Sequence, residues 1–320
     1  MRDVAILRRR APLLACATLI AAMAVFPAFR PNDYYWLGFL LLAAAYGIYA
    51  VSWDIFSGFT GEINFGHSFF IGLAAYSSSL LCVKAGWKLV PSIAAGVLVA
   101  GAAGFLVGLL SLRLRGPFFS MLTLALAGLL SKLILFFSKY TGGEEGLAGL
   151  PALTSEVRWD YLLVLALAVF SFTALYLLSA SRFGTILKSI RHSPDFVEAS
   201  GINVTFYKVA AFTVSGLFAG VGGAVYPFTQ MHVGVETASV ALSTNVLVMA
   251  LVGGMGTITG PLVGAISMAV LDELLRKAGE ARFFIYWSVV VSVIVLAPSG
   301  ILGGSSPLGG LRRLLRGAHA

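Results

Sequence analysis

The sequence predicts an all-α, polytopic integral membrane protein, and three observations carry that prediction. Hydrophobic residues make up 58% of its 320 positions and charged residues 11%, with a mean hydropathy of +0.91, a balance no water-soluble core requires. The apolar residues gather into runs close to the ~20 residues that cross a bilayer core as a helix. The basic residues behind the net charge of +8 sit in short clusters at the ends of those runs. That is the pattern of positive-inside anchoring in a lipid bilayer, and it argues against a nucleic-acid partner.

By length, the runs are 11–29, 34–56, 63–83, 89–111, 117–138, 160–180, 208–230, 241–254, 258–275 and 282–298, which makes about ten transmembrane helices. The first follows Arg8, Arg9 and Arg10 like a signal peptide, but it lacks a small-residue cleavage site and precedes further spans, so it reads as a retained helix. The pair around 241–275 is interrupted by LVGGMGTITGP, whose glycines and proline fit two spans or one re-entrant hairpin equally well. Small residues recur every four positions in Gly96, Ala100, Gly104 and Gly108, and again in Gly216, Gly220 and Ala224. Such stripes let helix backbones approach closely.

With both termini in the cytoplasm, Arg2 with Arg8–Arg10, Arg113 with Arg115, the segment Arg182–Lys208, and Arg312, Arg313 and Arg316 all fall inside. Glu144, Glu145, Glu156, Asp160 and Glu236 fall outside, while Lys84, Lys88, Arg276, Lys277 and Arg282 depart from the rule. The chain then reads as one transmembrane domain, 1–320, with a cytoplasmic segment at 181–207 and a basic cytoplasmic tail at 302–320. Within SRFGTILKSIRHSPDFVEASGINVTFYK (181–208), Phe183, Ile186, Leu187 and Ile190 share one helical face, and Arg182, Lys188 and Arg191 lie elsewhere. Pro194 ends that helix, and a second short one stops at Gly201.

No GxxxxGK[ST] sequence occurs, nor any Gly-Lys pair, so ATP must be bound by another polypeptide. His67, His192, His232 and His319 show no metal-ligand spacing, and the two cysteines, Cys16 and Cys82, lie in apolar runs. Neither a metal nor another cofactor is expected on this chain. Five polar residues in or beside apolar runs are candidates for a solute path, because burying them costs insertion free energy. Asp54 and Glu62 flank the turn Ser57–Gly61, Asn64 and His67 share a helical face, and Asn245 sits in ALSTNVLVMALVGG. Each also fits a structural role, as a turn partner or an interhelical hydrogen bond. Mid-span Lys132 reads as a snorkelling or paired side chain.

Taken together, GFTGEINFGHSFFIGLAAY (58–76), LRLRGPFFSMLTLAL (112–126), TGGEEGLAGLP (141–151), residues 181–226 and LVMALVGGMGTITGPLVGA (247–265) resemble the permease subunits of ABC importers for branched-chain amino acids. The likeness spans roughly 34–300 and keeps the motif order. It implies a single permease domain of the M type in a bacterial inner membrane, paired with an H-type permease. Two cytoplasmic ATPases binding ATP and Mg and a periplasmic solute-binding protein complete the implied system. It also implies that 181–207 docks on an ATPase, with Phe183, Ile186 and Ile190 as apolar knobs, Arg182 and Arg191 orienting, and Glu198, Ala199 and Gly201 as the coupling turn. The sequence departs from the family pattern at Asp54, Glu62 and Asn64, where Asn, Gln and Ser are more usual. The solute therefore stays open between branched-chain or other apolar amino acids and a small amide such as urea. Two other classes compete: an ion-coupled secondary transporter using Asp54, Lys132 or His67, which would show matching broken-helix repeats, and an intramembrane lipid enzyme, which would need paired carboxylates or a His/Asp set at one depth.

Overall fold

The structure is a computed structural model describing residues 2–29, 33–111, 114, 116–279, 281–297 and 299–302, with the side chains of residues 2–11 not described. Arg113, Arg115, residues 303–320 of the expected basic tail with Arg312, Arg313 and Arg316, and the side chains of Arg2 and Arg8–Arg10 lie outside the described residues. The chain forms α1 (Arg2–Phe29), α2 (Tyr34–Thr60), α3 (His67–Val83), α4 (Leu89–Ser111), α5 (Pro117–Phe136) and a single turn, α6 (Ser138–Thr141). There follow α7 (Val157–Ala180), α8 (Arg182–His192), α9 (Pro194–Ala199), α10 (Val204–Gln230), α11 (Val240–Gly253), α12 (Thr259–Leu274) and α13 (Ala281–Leu296). Strands β1 (Leu147–Ala148) and β2 (His232–Val233) pair antiparallel and tie the α6–α7 loop to the end of α10.

Local chemistry sets the boundaries. Ser181, Ser193, Asn203 and Ser239 each accept a backbone N–H from the first turn of α8, α9, α10 and α11. Pro117 and Pro194 stand in the first turn of α5 and α9, where their missing N–H costs no helical bond.

Each of the ten expected segments falls on a helix, but six of these, α1, α2, α4, α5, α7 and α10, are long and apolar enough to cross a membrane. Length and composition therefore identify six crossing helices among the described residues, and the expected ten are not confirmed. α3, α11, α12 and α13 have 17, 14, 16 and 16 residues, and at 1.5 Å per residue they fall short of a hydrocarbon core about 30 Å thick. α11 and α12 form an antiparallel hairpin, with Gly253 against Gly260 and Gly264 against Met249.

α2 is the hub: every residue from Gly47 to Thr60 is buried. It packs on α7, α10, α12, α11 and α8. Large apolar side chains on α4, α5, α7 and α13 point outward instead, among them Leu98, Leu110, Phe118, Phe136, Phe170 and Phe284. In water such a surface would be a liability, whereas in lipid it is solvated.

α4 meets α10 through the small-residue stripes. A Cβ at Gly216 would lie 2.9 Å from the Ala100 carbonyl oxygen, one at Gly220 2.8 Å from the Ala100 methyl, and one at Gly104 3.0 Å from the Phe212 carbonyl oxygen. Gly108 faces Val209, and Gly96 faces the Ala74 carbonyl of α3.

Candidate functional site

Asp54 stands near the C-terminal end of α2, between Ser52 and Ser57, and is fully enclosed, at 0% exposure. Its partners come from the far end of the chain. Oδ1 accepts the Gly256 N–H at 2.6 Å, and Oδ2 accepts those of Thr257 at 3.1 Å and Ile258 at 2.9 Å. These N–H groups belong to the turn that leads into α12, next to the helix N-terminus, where the dipole favours a negative charge. The turn itself needs left-handed backbone at Gly254 (φ 117°) and Gly256 (φ 82°), which glycine adopts without a Cβ clash. Asp54 thus fastens the tip of the α11–α12 hairpin to α2.

The polar segment 181–207 grips the same end of α2. Arg191 of α8 donates from Nη1 to the Gly58 carbonyl at 2.5 Å, and its stem lies over Gly61. It also stands within electrostatic range of Asp54. Lys188 places its ammonium 4.6 Å from the Phe59 ring centroid, a cation–π distance.

The apolar row expected to meet a partner is turned inward. Ile190 is 2% exposed and sits in the core, while Phe183 and Ile186 are partly buried against it and Phe183 packs on Tyr207. The physical reason is local: the row is the only apolar face α8 has to lay over α2 and α7, and burying it is favourable. Arg182, Glu198, Ala199 and Gly201 are exposed, and so is Phe196, at 72%. Gly201 has φ +80° and terminates α9.

Glu62 pairs with Lys208 at the start of α10, and both line a small polar pocket with Glu198. Asn64 and His67, at 1% and 0% exposure, are closed into the core. Asn64 accepts the Gly66 N–H on Oδ1 at 2.8 Å and donates its own backbone N–H to Ser57 Oγ at 3.1 Å. His67 Nε2 meets Ser52 Oγ at 3.0 Å, and Ser215 Oγ donates to the Ser52 carbonyl at 2.6 Å, so one polar ladder joins α2, α3 and α10. Asp54, Asn64 and His67 therefore do not line an open path in this conformation, because each is enclosed and tied by hydrogen bonds within the helix core. Asn245 differs: it lines a cavity of about 380 Å³ between α2, α11, α12 and α13.

Sequence reading missed the Arg191–Gly58 bond and the three N–H groups on Asp54. One signal was present: an acid inside the apolar run of α2 and a glycine run, GGMGTITG, that interrupts a helix and whose N–H groups therefore need partners from elsewhere.

The family described as a branched-chain amino acid transport system permease component matches residues 35–297. The chain belongs to this family. The high-affinity branched-chain amino acid transport system permease protein LivM of Salmonella typhimurium is 27% identical over 291 residues, covering 82% of this chain and 68% of that protein. LivM of Escherichia coli is 27% identical over 295 residues, covering 83% and 69%. The autoinducer 2 import system permease protein LsrC of Yersinia pseudotuberculosis is 30% identical over 243 residues, covering 70% and 66%. No solved structure matches the chain. The permease is a multi-pass membrane subunit of an ABC importer, and its family relatives are transporter subunits rather than enzymes.

Proposed function

We propose that this permease forms half of the translocation path for branched-chain or other apolar amino acids in a bacterial inner membrane, coupling ATP hydrolysis by two cytoplasmic subunits to that path through residues 181–207. An H-type permease supplies the other half, a periplasmic protein delivers the solute, and ATP and Mg are held by the ATPases. Both termini, the basic tail and the coupling segment face the cytoplasm.

The observation that carries the coupling role is the Arg191–Gly58 bond. Movement of α8 must pull on the last turns of α2, and Asp54 passes that movement to the hairpin tip. The outward surface of α9, with exposed Phe196, Glu198 and Gly201, is what an ATPase groove would hold. The test is uptake by the assembled importer in proteoliposomes. Arg191→Ala removes a charge-assisted bond and should lower ATP-driven uptake about tenfold or more, while pull-down shows the ATPases still bound. Gly201→Asp should likewise leave assembly intact and abolish stimulated uptake. Normal uptake in both variants overturns the coupling assignment.

A further inference from the structure

The cavity beside Asn245 lies in the half of the molecule away from the coupling segment. Its α2 wall is Phe39, Leu42 and Tyr46, whereas α8 touches α2 at Gly58 and Phe59. At about 380 Å³ it falls in the low range of small-molecule pockets.

We propose that this cavity is a binding subsite for a free amino acid zwitterion bearing an apolar side chain. This rests on the importer reading above, which names a solute class but no site for it. One wall carries opposite charges side by side: Arg282 donates from Nε to Asp272 Oδ1 at 2.8 Å and from Nη2 to Oδ2. The two side chains are 33% and 42% exposed, so both charges are reachable from the cavity. A zwitterion enters such a pair without leaving a charge unpartnered, its carboxylate taking the Arg282 fork and its ammonium meeting Asp272. A neutral amide such as urea has no charge to offer either.

Four further polar groups face the cavity: the Glu273 carboxylate, which is held by Tyr35 and Arg276, and the Asn245 amide and the hydroxyls of Tyr46 and Tyr286, these last three with no hydrogen-bond partner among the described residues. Both tyrosines stand within electrostatic range of Asp272. The rest of the lining is largely apolar, with Phe39, Met249, Met268 and Trp287. Methionines adapt to side chains of differing branching, which suits a solute class rather than a single solute.

The test is calorimetric titration of the purified full chain with leucine, leucinamide, 4-methylpentanoate and urea, alongside leucine uptake by the assembled importer. Leucine should bind saturably, while leucinamide, 4-methylpentanoate and urea, each lacking one or both charges, should fail to compete. Arg282→Gln and Asn245→Ala should each weaken leucine binding about tenfold and raise the uptake KM. Asn245→Ala breaks no hydrogen bond within the described chain, so it reports on binding even if loss of the Arg282 pair disturbs α13. Equal binding of leucine and leucinamide, no saturable leucine binding by the wild-type chain, or unchanged affinity and KM in Asn245→Ala overturns the site. With wild-type uptake intact, those results leave the importer reading standing. Absence of ATP-dependent uptake of any apolar amino acid by the wild-type importer removes that reading, and the site's ligand with it.

Discussion

A carboxylate enclosed in a membrane bundle is expensive unless something replaces its water, and at Asp54 three backbone N–H groups do so. The residue is best understood as a fastener, and substitutions grade its strength. Asp54→Leu leaves three buried donors unpaired, each costing about 1–3 kcal/mol. Asp54→Asn keeps one acceptor oxygen and should lose only part of that. In detergent, thermal unfolding of the purified permease should therefore rank wild type above Asp54→Asn and Asp54→Asn well above Asp54→Leu. Equal midpoints for all three contradict the role. Gly58 has a matching constraint, since a Cβ there would collide with the Asp54 carboxylate and the Gly256 nitrogen.

Between elements, α4 approaches α10 closely along the small-residue stripes. Beside the stripes the fit is looser. A Cβ at Gly216 would stand 2.9 Å from a carbonyl oxygen, but one at Gly101 would stand 3.5 Å from Leu217, an ordinary contact. Gly216→Ala should then cost about 1–3 kcal/mol through overpacking, whereas Gly101→Ala should be neutral or raise the midpoint through better helix propensity. Unfolding midpoints of the two variants, measured side by side, check the difference. A similar drop in both would mean that glycine flexibility, and not helix spacing, sets the stability.

At the scale of the whole molecule, the structure links three levels: an exposed surface on α9, a clamp from α8 to α2, and a hairpin whose tip is held by Asp54 and whose open end borders the cavity. That sequence of contacts has a direction only if the two ends face opposite sides of the membrane. In a Cys82→Ser background, with Cys16 buried, Glu145→Cys in the exposed α6–α7 loop should react with a membrane-impermeant maleimide in intact cells. Ser200→Cys, exposed after α9, should react only once the membrane is opened. The reverse pattern would invert the topology and move the cavity to the inner half.

Much of this was legible in the sequence because it depends on near neighbours. Run length and hydropathy set the membrane class and the helix positions, caps and prolines set the ends of α8 and α9, and the stripe spacing marked the face by which α4 meets α10. What only the tertiary structure decided are meetings between residues far apart in the chain. α8 turned its row Phe183, Ile186 and Ile190 inward because its own core was the nearest apolar surface. Arg191 found a carbonyl 133 positions away, and Asp54 found donors 202 to 204 positions away. Periodicity tells which residues share a face, but not what that face will meet. For the polar residues of this permease, the packing of the bundle alone separated enclosed fasteners such as Asp54 and His67 from Asn245 at the cavity wall.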